Sequence, residues 1–193
     1  MWFRKAIKMA GVEKDEPEIH GGCALMLFLA PKDQQAIALD PKQLKGKEDS
    51  PELPEEIHVT LAYLGKSDSE ELDGREKELV RILEVWGESE SPIEGTVGGF
   101  GSFLAGDGAV MYYSFDAPEL SAMRERLTQY LARHDFEIDM NHGYTPHITI
   151  AYVKNKDDVE VILPEPREIT LDELTLGWAN RKHKISLSKK KAR

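Results

Sequence analysis

Two heptads of this chain are near copies. His58-Val59-Thr60-Leu61-Ala62-Tyr63-Leu64 and His147-Ile148-Thr149-Ile150-Ala151-Tyr152-Val153 share four residues and exchange only aliphatic side chains at the other three, 89 residues apart. A repeat of this kind implies a duplicated unit and a pseudo-two-fold axis relating the copies. Both heptads are rich in β-branched and aromatic residues, and the first is closed by Gly65, so both read as strands. Strand alternation then predicts which side chains share a face. His58, Thr60 and Ala62 point one way, and Val59, Leu61 and Tyr63 the other. The same split sets His147, Thr149 and Ala151 against Ile148, Ile150 and Tyr152. Each strand thus offers an apolar side to a core and a side with one imidazole and one hydroxyl, where the small alanines leave room.

A lone histidine in a strand is usually structural, but two in one context point to chemistry at a phosphate. Imidazole titrates near 6.5, so one ring can take a proton from an attacking hydroxyl while the other donates to the leaving oxygen. Thr60 and Thr149 are placed to donate to the non-bridging oxygens, where charge builds up. Zinc is the competing use of paired histidines. Neither repeat supplies the carboxylate or third histidine such a site needs, and the single cysteine, Cys23, rules out a multi-cysteine site, so no metal and no cofactor are expected.

The rest of the chain supports an α+β protein. Residues 1–22 are mostly polar and read as a leader with a short helix over Trp2–Ala10. Ala24–Ala30 and Ala36–Leu39 read as strands, and residues 40–56, with Pro41, Pro51 and Pro54, as a surface loop. From Asp68 to Trp86 the apolar residues fall on one helical face, with Ser67 or Asp68 as N-cap and Gly87 as stop. Strands over Ile93–Val97 and Ala109–Phe115 flank the glycine-rich Gly98–Phe103, and a second helix runs from Pro118 to His134. Pro146–Val153, Val159–Leu163, Ile169–Trp178 and Ile185–Leu187 complete the strands. That order predicts antiparallel sheets with helices packed on one side.

The formal net charge of −10 is unevenly spread. From Arg181 onward there are seven basic residues and no acidic ones, leaving 18 basic against 35 acidic in residues 1–180. An acidic body disfavours long contact with a polyanion. A small nucleotide or short oligonucleotide is therefore the expected partner, with extended nucleic acid limited to the basic segment 181–193, itself read as a solvated terminus. No apolar run is long enough to span a bilayer, and Met1–Lys5 lack the features of a secretory signal, so the expected compartment is the cytoplasm.

With these motifs the sequence resembles the 2H phosphoesterase superfamily, which includes RNA 2′,3′-cyclic phosphodiesterases and proteins called 2′,5′ RNA ligases. The first motif continues to Gly65, Gly98-Gly-Phe-Gly-Ser-Phe103 is similar to the family's mid-chain segment, and Tyr144-Thr145-Pro146 precede the second motif. The similarity spans roughly residues 24–178. It implies a single bilobal domain over 23–180, helices outside and a central cleft lined by the motif strands. It also implies that His58 and His147 are the acid–base pair and that Thr60 and Thr149 hold phosphate. The Ala-Tyr extension of both motifs looks closest to small members encoded by bacteriophages, some of which degrade nucleotide immune signals. A member that binds nucleotides without turnover, or one that ligates 2′,5′ ends, would use the same residues.

Three further residues are candidate substrate contacts. Tyr144, Phe100 and, in the loop before the second motif, His142 stand near the expected cleft, and Phe103 shares the possibility of stacking on a base. Gly98–Gly101 is no phosphate loop, since neither Lys-Ser/Thr nor a helix follows it. The metal-free expectation has a direct check: turnover of a phosphodiester substrate should persist in EDTA, and its loss on chelation would overturn the two-histidine scheme.

Overall fold

Val59 and Ile148, the middle residues of the two His-x-Thr triplets, lie opposite each other in an antiparallel pair joining β3 (His58–Lys66) to β6 (His147–Val153). The computed structural model describes residues 22–140, 143–156, 159–160, 163 and 165–188. The axis implied by the repeat passes between these two residues. On the β3 side stand β1 (Gly22–Phe28), β8 (Glu173–Trp178) and β9 (Arg181–Ser186), and on the β6 side β5 (Gly108–Asp116), β4 (Ile93–Ala105) and β7 (Arg167–Leu171). The order is β7-β4-β5-β6-β3-β1-β8-β9, every described pairing being antiparallel. The short β2 (Ser50–Pro51) pairs with β6 at Tyr152 and Ala151. Because β5 holds the other edge of β6 there, β2 occupies the edge from which β3 has splayed away. Only Asp172 separates β7, at one edge, from β8 near the other, so the sheet curls until Leu171 and Glu173 stand within about 7–8 Å.

Among the described residues, three helices cover the apolar side. The helix α1 (Pro31–Ile37) is short, while α2 (Glu76–Gly87) buries Leu79, Ile82, Leu83 and Trp86, and α3 (Pro118–Ala132) buries Leu120, Met123, Leu127 and Leu131. These steps of three and four are the helical face the sequence predicts. They share one core with Val59, Leu61, Ile148 and Ile150, all fully buried. Arg124 of α3 donates from Nε to the Leu61 carbonyl at 3.1 Å, and Arg75 before α2 donates to the His134 and Asp135 carbonyls after α3. The helices therefore lie across the sheet from the histidines.

Simple alternation fails just past each threonine, at equivalent places. β1 pairs with β3 in one register from Phe28↔His58 to Met26↔Thr60, then Leu25 faces Ala62, so Leu61 is an extra residue. β5 pairs with β6 from Ser114↔His147 to Tyr112↔Thr149, then Met111 faces Ala151, so Ile150 is extra. These β-bulges reverse the alternation beyond them. Ala62 and Ala151, expected beside the histidines, instead pair with core residues and are buried in the core. Tyr63 and Tyr152, expected in the core, turn to the histidine side opposite Ala24 and Val110.

Other expectations also change. Ala36–Leu39 is not a strand: Pro31 opens a helix through Ile37, with Asp33 in its first turn and Gln34 donating to the Ile57 carbonyl at 3.1 Å. A four-residue apolar run does not distinguish the two structures. The helix expected from Asp68 begins at Glu76, because Gly74 takes a positive φ of 74° that ends a series of turns. Ile169–Trp178 forms two strands in different halves of the sheet. Of Val159–Leu163, Val159 makes a bridge to Leu44, and its neighbours 161–162 lie outside the described residues, as does the expected Trp2–Ala10 helix. Arg181–Ser186, read as part of a solvated terminus, is an edge strand whose Leu187 continuation is buried.

The joint at the axis should be costly to weaken. Truncating Ile148→Ala removes a fully buried side chain at the contact between the half-sheets, with an expected loss of about 2–5 kcal/mol in urea unfolding.

Candidate active site

Both histidines are anchored in the same way. His58 donates from Nδ1 to the Glu56 carbonyl at 2.7 Å, and His147 donates from Nδ1 to the Thr145 carbonyl at 2.7 Å, in each case two residues back along the chain. A carbonyl only accepts, so this bond puts the proton of the neutral ring on Nδ1 and directs Nε2 away from the backbone. On His58 that nitrogen receives the Thr60 hydroxyl at 3.0 Å. Continuing the Val59↔Ile148 register across the axis sets His58 opposite Thr149 and Thr60 opposite His147. Two imidazoles and two hydroxyls thereby share one face at the centre of the sheet.

The two halves differ in their surroundings. His58 is only 4% exposed, and burial, with smaller contributions from His147 and Lys182, pushes its pKa down to about 3 against the opposing pull of the Glu56 carbonyl. It is neutral at physiological pH. Its ring lies 5.4 Å from that of Phe28, and Lys182 sits over the same Phe28 ring at 4.6 Å while pairing with Glu56 at 2.7 Å. His147 is half-buried and meets two aromatic rings edge-on, Phe103 at 5.0 Å and Tyr112 at 5.4 Å. Phe103 and Tyr112 are themselves 5.1 Å apart. Tyr112 lies over Gly101, where a Cβ would come within 2.5 Å of its ring, so a side chain there would push the ring aside. Among the described residues no three His, Cys, Asp or Glu side chains cluster as a metal site would require.

Residues 31–183 match the family described as the 2'-5' RNA ligase superfamily. The chain belongs to that family. Its fold is that of the crystal structure of TT0787 of Thermus thermophilus, with 19% identity, a TM-score of 0.63 and 88% of this chain covering 100% of that one. E. coli LigT is similarly related, at 19% identity and a TM-score of 0.58 over 87% of this chain and 95% of LigT, as is a structure described as a phosphoesterase, at 17%, 0.57, 87% and 96%. A search of curated proteins finds no match.

Within this 2′-5′ RNA ligase superfamily member, His58, Thr60, His147 and Thr149 come together as the sequence predicts. The aromatic candidates divide. Phe100 packs against the core, 6.3 Å from Tyr113, because Tyr113 pairs with Ile148 on the helix side. Phe103, three residues on, is the one beside His147. Tyr144 is also packed against the core, under Arg124 at 4.5 Å, with its hydroxyl buried and lacking a hydrogen-bond partner among the described residues. Burial pushes that hydroxyl up to about 12. His142 lies outside the described residues. Cys23 is fully buried, and burial raises its thiol to about 12, which leaves it inert. Sequence reasoning missed Phe28, Tyr112 and Lys182. Alternation along β1 and β5 marks the first two as partners of the motif strands, but Lys182 belongs to a segment that composition alone presents as a tail.

The depressed His58 pKa makes stability depend on pH. Between the ordinary imidazole value of 6.5 and about 3, the unfolded chain takes up a proton that the folded chain refuses. Stability is therefore level above that window and falls as pH drops through it, by on the order of 2 kcal/mol at pH 5. In urea titrations at pH 7 and pH 5, His58→Gln should lose less stability on acidification than the native chain.

Proposed function

We propose that this protein hydrolyses a small nucleotide phosphodiester, with the phosphate held between the two His-x-Thr strands. The observation that carries this reading is the pair of imidazoles anchored identically through Nδ1 across a two-fold axis. His58, neutral at rest, takes the proton from the attacking water or ribose hydroxyl at Nε2. The negative charge of a bound phosphate raises the proton affinity of that buried ring, offsetting the burial that depresses it. His147, the more exposed ring, exchanges protons with solvent and donates one to the leaving oxygen. The Thr60 and Thr149 hydroxyls donate to the non-bridging oxygens. The Phe103–Tyr112 pair beside His147 offers an apolar platform for the base.

Crystal structures of LigT, a protein of this fold, are described as complexes with 3'-AMP, with ATP and with phosphate, which supports a nucleotide as the ligand here. The acidic body supports a small substrate over a long one. Candidates are 2′,3′-cyclic nucleotides, 2′,5′-linked oligoadenylates and the cyclic nucleotides that act as immune signals against phages.

A product-resolved screen of these three classes tests the proposal. One of them should be cleaved, and His58→Ala or His147→Ala should each reduce kcat by roughly 10²–10⁴-fold while the circular dichroism spectrum is retained. Tight binding of one class with no cleavage of any would establish a sequestering protein instead.

A further inference from the structure

The bulges leave a tyrosine on the histidine side of each motif strand, and each stands beside the segment that leads into the other motif. Glu52, upstream of His58, donates its backbone N–H to the Ile150 carbonyl of β6 at 2.7 Å, and its carboxylate takes the Tyr152 hydroxyl. Asp139, upstream of His147, donates its N–H to the Tyr63 carbonyl of β3 at 2.8 Å, and its charge acts on the Tyr63 hydroxyl. The arrangement is crossed. The strand bearing His147 holds the lead to His58, and the strand bearing His58 holds the lead to His147.

The Glu52 side can be followed bond by bond. Glu52 is 7% exposed, and a charge so buried is tolerated only with donors around it. One is Tyr152, and another is the Leu53 N–H, at 3.1 Å to Oε1. From Leu53 the chain enters the 3-10 turn Pro54–Glu56, closed by Ile57 N–H to the Pro54 carbonyl at 3.1 Å. The carbonyl of Glu56, at the end of that turn, accepts the Nδ1 proton of His58. Burial and the neighbouring Glu52 charge raise the pKa of the Tyr152 hydroxyl, so it stays protonated and able to donate.

We propose that Glu52 and Tyr152 form a positioning pair that fixes the orientation of His58 from the strand carrying His147, coupling the two imidazoles through the protein rather than through substrate. The structural part stands on the bonds above. The kinetic part rests on the reading of His58 as the base.

Two measurements separate them. In imidazole ¹⁵N spectra, Tyr152→Phe should move the His58 resonances and leave those of His147 in place, although Tyr152 and His147 share a strand. Glu52→Gln, of nearly the same shape, should move His58 in the same direction and by less, and it serves equally if Tyr152→Phe does not fold. In kinetics, Tyr152→Phe should lower kcat by roughly ten- to a hundredfold, the scale of a small misplacement of a reacting group, with KM changed by less than about twofold. Unmoved His58 resonances in both variants, or equal movement of both histidines, would overturn the pairing. Moved His58 resonances with unchanged kcat would leave the pairing intact and overturn the role of His58.

Discussion

One backbone contact carries the geometry of this protein. The half-sheets meet where Val59 faces Ile148, and beyond that pair β3 and β6 part, with β2 filling the space along β6. Because the contact falls at the middle residue of each triplet, the flanking histidines and threonines are set by backbone register, with no long side chain needed to bring them together. The apolar side chains of the same two residues are fully buried beneath the helices. Core packing on one face and the placing of the His-x-Thr side chains on the other thus depend on the same few peptide units, and a change that loosens the first should blur the second.

Duplication supplies symmetry, and burial then removes part of it. The Nδ1 anchors of the two rings are alike to the limit of the stated distances, yet one ring is nearly inaccessible beside Phe28 and Lys182 and the other opens between Phe103 and Tyr112. The proposed division into base and acid draws on this difference, with His58 shielded and His147 open to solvent. Here the chemistry of the residues is duplicated while their solvation is not.

The motif strands, both main helices and the pairing of the histidines were legible in sequence, because each rests on a periodic pattern that a one-dimensional reading preserves. Three kinds of feature were not. The bulges at Leu61 and Ile150 leave no mark in composition, yet they exchange the faces of the alanines and tyrosines that follow. The division at Asp172 interrupts an apolar run that reads as continuous, since the curl of the whole sheet, not the local sequence, sends its two parts to different halves. Phe103 and Phe100 are two aromatic residues in one glycine-rich segment, and only the register against β5 tells which lies beside His147.

The cationic strand β9 has a consequence of another sort. Its side chains alternate, Arg181 and His183 reaching Glu76 at the start of α2 while Lys182 and Lys184 reach Glu56 and Glu173. Arg181, Lys182 and Lys184 thus put positive charge on both faces of this edge, each matched by an acid of its own chain. A second copy laying its β9 alongside would set like charges against each other. Tied to its own chain by these ion pairs, an edge open among the described residues is a poor template for strand pairing between molecules.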